Sequence, residues 1–169
     1  PLRVVILGST GSIGRQTLEV VRVHPHKVTV VGLAAARNAG LLAAQVREFR
    51  PAYAFLDTTQ HAAFSLPAST SLLPMEAMVS LPEVDLVVVA TVGRAGLSPT
   101  LAALAAGKQV AIANKEVLVM AGEAVTAAAQ RGGGTLIPVD SEHSAIWQCL
   151  QGEAGEGGPA RIAQIGRAH

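Results

Sequence analysis

Four short stretches carry most of the residues whose types could do chemistry, and each stands directly after an apolar run. Gly8-Ser9-Thr10-Gly11-Ser12-Ile13-Gly14 follows Val4-Val5-Ile6-Leu7 and opens onto a helical pattern carrying Ile13, Leu18, Val20 and Val21. Strand, glycine turn and helix in that order make a phosphate cradle, because glycine lets the backbone approach a ligand and helix N-terminal N–H groups face an anion. The spacing is G-x-x-G-x-x-G, not the commoner G-x-G-x-x-G, and a tight turn with an ordinary helix cap is the plainer reading of this stretch alone. Ala34-Ala35-Ala36-Arg37-Asn38 comes after the second apolar run. NAD sites place an acid here to bond the ribose 2′-hydroxyl, whereas NADP sites place a cation. No Asp or Glu lies between Glu19 and Glu48, and Arg37 can pair a 2′-phosphate with two parallel bonds, which points to NADP. An exposed arginine at a helix start is the alternative.

The third stretch, Asn114-Lys115-Glu116, follows Val110-Ala111-Ile112-Ala113 and offers polar groups to orient a nicotinamide and hold a substrate anion or oxyanion. Spacing alone allows a solvated helix start equally well. The fourth is Asp140-Ser141-Glu142. Two carboxylates at i and i+2 where a strand gives way to a helix suit a hard divalent cation such as Mg²⁺ or Mn²⁺. The same residues also read as an acidic helix start with Ser141 as N-cap. His143 reads as structural, and Trp147 and Cys149 as core packing on the last helix.

The elements that must position these stretches alternate along the whole chain. Helix 1 stops at Pro25, and a buried strand is expected over 28–33. Asn38 is a plausible N-cap for a helix carrying Leu41, Leu42, Val46 and Phe49, closed by Pro51. A short strand is expected over 53–56, helices near 59–65 and 74–80, and the strongest strand over 86–90. After the loosening glycines Gly93 and Gly96, Ser98-Pro99 suggests an N-cap followed by proline at the first helical position, with the helix over 100–106 and Gly107 just past its end. A strand over 109–113, a helix to Arg131, three glycines, a strand over 135–139 and a helix over 145–150 complete the pattern. A further strand is expected to start at 161–165. Continuous β-branched runs alternating with helices predict an α/β fold: a Rossmann-like, doubly wound, mostly parallel sheet with helices on both faces. Its site belongs at the carboxyl ends of the strands.

Composition excludes several classes. The 169 residues suit one domain, half of them are hydrophobic and 15% are charged, which is a core-forming composition. A net charge of +1 without a basic cluster, and five scattered aromatics, leave no nucleic-acid surface. No run of 18 apolar residues exists to cross a membrane. The lone Cys149 precludes an internal disulfide and fits a reducing cytoplasmic location.

Taken together, ILGSTGSIGRQTLEVV, TVGRAGLSPTLAALAAGKQVAIANKEVLV and PVDSEHSAIWQCL resemble the 1-deoxy-D-xylulose 5-phosphate reductoisomerase family of non-mevalonate isoprenoid biosynthesis. The combination of NKE and VDSEH with GSTGSIG is far more specific than any one motif. The resemblance implies that Thr10, Gly11, Ser12 and Ile13 bind the NADPH pyrophosphate and ribose, with Ala36, Arg37 and Asn38 around the 2′-phosphate. Arg37 stands where the family often has lysine. Asn114 and Glu116 would contact the cofactor, Lys115, Ser141 and Glu142 the substrate, and Asp140 and Glu142 a divalent metal (Mg²⁺, Mn²⁺ or Co²⁺), with Lys115 and Glu142 the catalytic pair. The implied reaction is rearrangement of a phosphosugar skeleton to an aldehyde, which NADPH reduces to 2-C-methyl-D-erythritol 4-phosphate. The implied partners are a small-molecule phosphosugar and, for the intact protein, a second copy in a homodimer.

On this reading, 1–150 is the NADPH-binding domain ending in the first metal and substrate motif. Residues 151–163 are a glycine-rich connector and the start of a truncated catalytic domain. Residues 164–169 can be back-translated into a common sequencing-adapter stretch and are read as a non-native tail. The family's Ser-Gly-Gly-Pro loop, lid, phosphate-binding residues, third acidic metal ligand and C-terminal helical domain have no counterpart, so the chain is expected to be an inactive fragment. Another Rossmann oxidoreductase, such as a homoserine-dehydrogenase-like enzyme, explains the glycines but not the pairing of the NKE and DSE motifs. A non-catalytic nucleotide-binding module is the third reading.

Overall fold

The computed structural model of the chain describes residues 1–57 and 66–139. In chain order these form β1 (Leu2–Leu7), α1 (Ser12–Val23), β2 (Val28–Ala35), α2 (Ala39–Phe49), β3 (Tyr53–Leu56), β4 (Ser71–Leu72), α3 (Met75–Val79), β5 (Leu86–Val89), a 3₁₀ turn (Gly93–Gly96), α4 (Leu97–Ala105), β6 (Gln109–Ile112), α5 (Lys115–Gly132) and β7 (Thr135–Pro138). The seven strands make one sheet in the order β4-β3-β2-β1-β5-β6-β7, and every pair is parallel.

Alternation along β1 explains why its sequence is apolar at every position from Val4 to Leu7. Val4 and Ile6 face a layer built with Leu18 and Val21 of α1 and Leu42 and Val46 of α2. Val5 and Leu7 face the opposite layer, with Met78 of α3, Leu104 of α4 and Val125 of α5. A strand covered on both faces has no solvent side to mark with polar residues. Ile6 and Leu7 are fully buried, and each such side chain contributes about 1.5–3 kcal/mol relative to exposure. Among the described residues, no helix is long and apolar enough to cross a membrane.

Several boundaries differ from expectation. The helix after β5 begins at Leu97 with Gly96 as its cap, not at Pro99 with Ser98 as its cap, because the 3₁₀ turn leads straight into it. Pro99 therefore lies in the first helical turn, where a missing N–H costs no intrahelical bond. The far end is as expected. Gly107 has φ +74°, its N–H donates to Leu104 O, and the N–H of Lys108 donates to Ala103 O. Those two bonds satisfy the last carbonyls in the Schellman arrangement. The two-residue strand β4 was not anticipated, since both of its side chains are exposed and leave no pattern. The helix expected over 74–80 is α3, while those expected over 59–65 and 145–150 and the strand start at 161–165 lie outside the described residues. Helix α5 carries a kink at Ala121 (φ −147°, ψ 31°) that the sequence reading treated as continuous helix.

Candidate functional site

The chain leaves β1 toward β2, β3 and β4 on one side, then returns to β5, β6 and β7 on the other. The loops after β1 and β5 therefore diverge, and a cleft opens outside the carboxyl ends of those two strands. Two cavities occupy it, of about 460 and about 420 Å³. They share a wall made by Gly11 and by Ala90, Thr91 and Val92 after β5. The result is one elongated trough crossing the sheet edge.

The glycine turn forms the waist of the trough, and packing explains its spacing. Gly8 adopts φ +82°, and a Cβ there would stand 2.4 Å from the carbonyl oxygen of Ala90. A Cβ on Gly14 would stand 2.3 Å from the carbonyl oxygen of Gly8, so α1 can start this close to the turn only with glycine. The N–H groups of Gly8 and Ser9 both donate to Ala34 O at 2.9 Å, which stitches the turn to the end of β2. Helix α1 has Gly11 as its cap, no side-chain cap and no acid in its first turn. Its first N–H groups and the positive end of its dipole are left for an external anion.

On one side of the waist the first cavity is lined by Ala36, Arg37 and Asn38, with Phe55, Asp57 and Met75 across from them. Asn38 caps α2 as expected: its Oδ1 accepts from the N–H of Leu41 at 3.0 Å. Arg37 is exposed, and among the described residues no carboxylate pairs with it. On the other side the second cavity is lined by Ser12, Ile13, Asn114, Lys115, Glu116 and Val139, among others. Asn114 is buried, with 2% exposure. Its Nδ2 donates to Gly93 O at 2.9 Å and reaches Thr91 Oγ1 at 3.5 Å, which ties the loop after β6 to the loop after β5. Its Oδ1 has no hydrogen-bond partner among the described residues. A buried acceptor left unpaired costs about 1–3 kcal/mol, so a donor brought within reach of this atom would be stabilising.

The structure thus brings Thr10, Gly11, Ser12, Ile13, Ala36, Arg37, Asn38, Asn114, Lys115 and Glu116 to one trough. Asp140, Ser141 and Glu142, and with them His143, Trp147 and Cys149, lie outside the described residues. Among the described residues no group of three or more His, Cys, Asp or Glu could hold a metal. The sequence reading missed Thr91 and Val92 on the shared wall, and Asp57 and Met75 in the first cavity. It also missed Gln45, whose signal was available: a polar residue among Leu42, Ala43 and Val46 on the buried face of α2.

The sequence model of 1-deoxy-D-xylulose 5-phosphate reductoisomerase matches residues 4–122. The chain belongs to this family. The reductoisomerase of Pelotomaculum thermopropionicum is 49% identical over 158 residues, covering 88% of this chain and 41% of its own length. A crystal structure of DOX-P reductoisomerase in complex with NADPH, fosmidomycin and magnesium superposes with a TM-score of 0.84 at 40% identity, over 89% of this chain and 39% of the other. A homoserine dehydrogenase from Thiobacillus denitrificans superposes less closely, with a TM-score of 0.57 at 26% identity over 80% of this chain and 28% of the other. The chain spans about two fifths of the length of the reductoisomerases it matches.

Proposed function

We propose that this chain is the NADPH-binding part of a reductoisomerase that converts 1-deoxy-D-xylulose 5-phosphate to 2-C-methyl-D-erythritol 4-phosphate. The observation that carries the reading is the single trough running from Arg37, across the uncapped start of α1, to Asn114. A dinucleotide with a 2′-phosphate matches that sequence of a cation, an anion-binding helix start and a buried unpaired acceptor. NADPH bound there supplies a hydride. Thr10, Gly11, Ser12 and Ile13 hold the pyrophosphate and adjoining ribose through the first turn of α1. Ala36, Arg37 and Asn38 hold the 2′-phosphate, Arg37 through charge-assisted bonds. Asn114 and Glu116 orient the nicotinamide end, and Lys115 holds a substrate anion at the rim of the second cavity.

Asp140 and Glu142 are proposed as ligands of a divalent cation, Mg²⁺, Mn²⁺ or Co²⁺, with Ser141 and Glu142 against the substrate. Bound there, the cation would supply Lewis-acid chemistry. Residues 1–150 form the NADPH-binding domain, 151–163 lead toward the catalytic domain, and 164–169 are a non-native tail. The intact protein is a cytoplasmic homodimer. Family membership and the 0.84 TM-score to a DOX-P reductoisomerase crystallised with NADPH, fosmidomycin and magnesium support the reading. The test is NADPH consumption by a chain completed to the length of its relatives, with 1-deoxy-D-xylulose 5-phosphate and Mn²⁺ or Mg²⁺ present. Substrate-dependent oxidation and a 2-C-methyl-D-erythritol 4-phosphate product are expected; a folded, NADPH-binding protein giving neither would overturn the assignment.

A further inference from the structure

Ser9 and Gln45 are both buried, at 0% and 5% exposure, and neither is used by the proposed cofactor contacts. Ser9 Oγ donates to Gln45 Oε1 at 2.8 Å, and Gln45 Nε2 donates to the carbonyl oxygen of Ser9 at 2.9 Å. One side chain of α2 thus engages both the hydroxyl and the carbonyl of one residue in the glycine turn. Two bonds in opposite directions fix orientation as well as distance. Apolar contacts from Leu42 and Val46 already hold α2 on the sheet, and a methionine or leucine at position 45 would fill the same kind of buried site. A buried carboxamide is tolerated only because Ser9 satisfies it.

The two residues joined this way sit behind the two turns that face anions. Ser9 lies between Gly8 and Thr10 in the turn at the start of α1, and Gln45 lies on the helix that Asn38 caps beside Arg37. We infer that Gln45 is a positioning residue that sets the spacing between these two turns, so that the pyrophosphate and 2′-phosphate of one NADPH are engaged together. The inference rests on the reading of the trough as the NADPH site.

The test uses the 169-residue chain and its Gln45→Met variant, which keeps the length of the side chain and removes both bonds. Affinities are measured for NADPH, for 2′,5′-ADP, which reaches both turns, and for 2′-AMP, which reaches only the turn at α2. Thermal unfolding is followed in parallel. NADPH and 2′,5′-ADP should bind about tenfold more weakly to the variant, the order expected for two lost buried hydrogen bonds, while 2′-AMP changes less than about twofold. A lowered melting temperature with all three affinities unchanged, or weakened equally, would overturn the positioning role. Should Gln45→Met fail to fold, Ser9→Ala removes one bond and keeps the other. It should show the same selective pattern at about threefold, and lack of that selectivity overturns the inference. Failure of the parent chain to bind any of the three ligands would instead refute the NADPH reading on which the inference stands.

Discussion

Arg37 lies two positions beyond β2, exposed at the rim of the first cavity, with no carboxylate paired to it among the described residues. A cation beside the start of α2 opposes that helix's dipole, so a bound phosphate is the partner that makes its placement favourable. Arg37→Ala should weaken NADPH by about 1.5–3 kcal/mol, the range for hydrogen bonds to a charged group, and leave NADH nearly unchanged. A titration in which both nucleotides weaken equally would remove the 2′-phosphate role. Asp140 and Glu142 are separable by the same logic. As metal ligands, their Asp140→Asn and Glu142→Gln variants in a completed chain should lose turnover while NADPH affinity stays within about twofold, since the proposed cofactor contacts lie elsewhere. As a mere acidic helix cap they should cost about 1 kcal/mol of stability and spare turnover. The measurement is kcat beside the NADPH Kd and the melting temperature.

At the scale of elements, the glycine turn and the strap between β1 and the entry to β5 behave differently. Gly14→Ala must move either α1 or the turn, because its Cβ would press on the Gly8 carbonyl and on Ser9. Overpacking of this kind costs about 1–3 kcal/mol, and NADPH binding should fall with it because the displaced helix start is the proposed pyrophosphate site. Calorimetric unfolding together with a nucleotide titration checks both. Arg3 forks onto Asp85, Nε to Oδ2 at 2.9 Å and Nη2 to Oδ1 at 2.7 Å, and its backbone N–H adds a third bond at 2.9 Å. The guanidinium bonds first, then the N–H, hold the Asp85 carboxyl well below the usual carboxylate range. That folded-state depression gives stability that is present above about pH 4 and is lost as pH falls through the lower folded value. Asp85→Asn should therefore flatten the acid limb of a stability-versus-pH curve between about pH 4 and pH 2, and an unchanged limb would assign the acid sensitivity elsewhere.

These elements also mark how far the sequence could be read. Long apolar runs such as Val4-Val5-Ile6-Leu7 announced strands buried on both faces, and the glycine and proline punctuation placed most helices within a few residues. The start of α4 is not legible because Ser98-Pro99 looks like a cap, whereas a 3₁₀ turn leads into the helix at Gly96, where a Cβ would press on Thr91 and Val89. Strand β4 left no signal because only two exposed residues form it. In the site, residue types that carry charge or glycine were legible. Thr91, Val92 and Met75 were not, because only the folded arrangement of β5, its loop and α3 turns ordinary side chains into cavity walls.

For the whole molecule, the trough and the proposed reaction make unequal demands on the chain. Among the described residues, ten of the proposed contacts already converge on two joined cavities in the parallel sheet. Binding of NADPH needs only that convergence. Turnover needs more: a substrate phosphate must be held, a metal must have a full set of ligands, and water must be kept from the reacting aldehyde. The proposed metal site offers only the two carboxylates Asp140 and Glu142, and this chain spans about two fifths of the length of the reductoisomerases it matches. The 169-residue chain should therefore bind NADPH in preference to NADH, bind Mn²⁺ weakly at best, and show no consumption of NADPH in the presence of 1-deoxy-D-xylulose 5-phosphate. A chain completed to the relatives' length should recover turnover without a large change in NADPH affinity. Measurable turnover by the 169-residue chain would mean that residues 1–169 hold the substrate and the metal unaided, and the division between cofactor binding and turnover would fall.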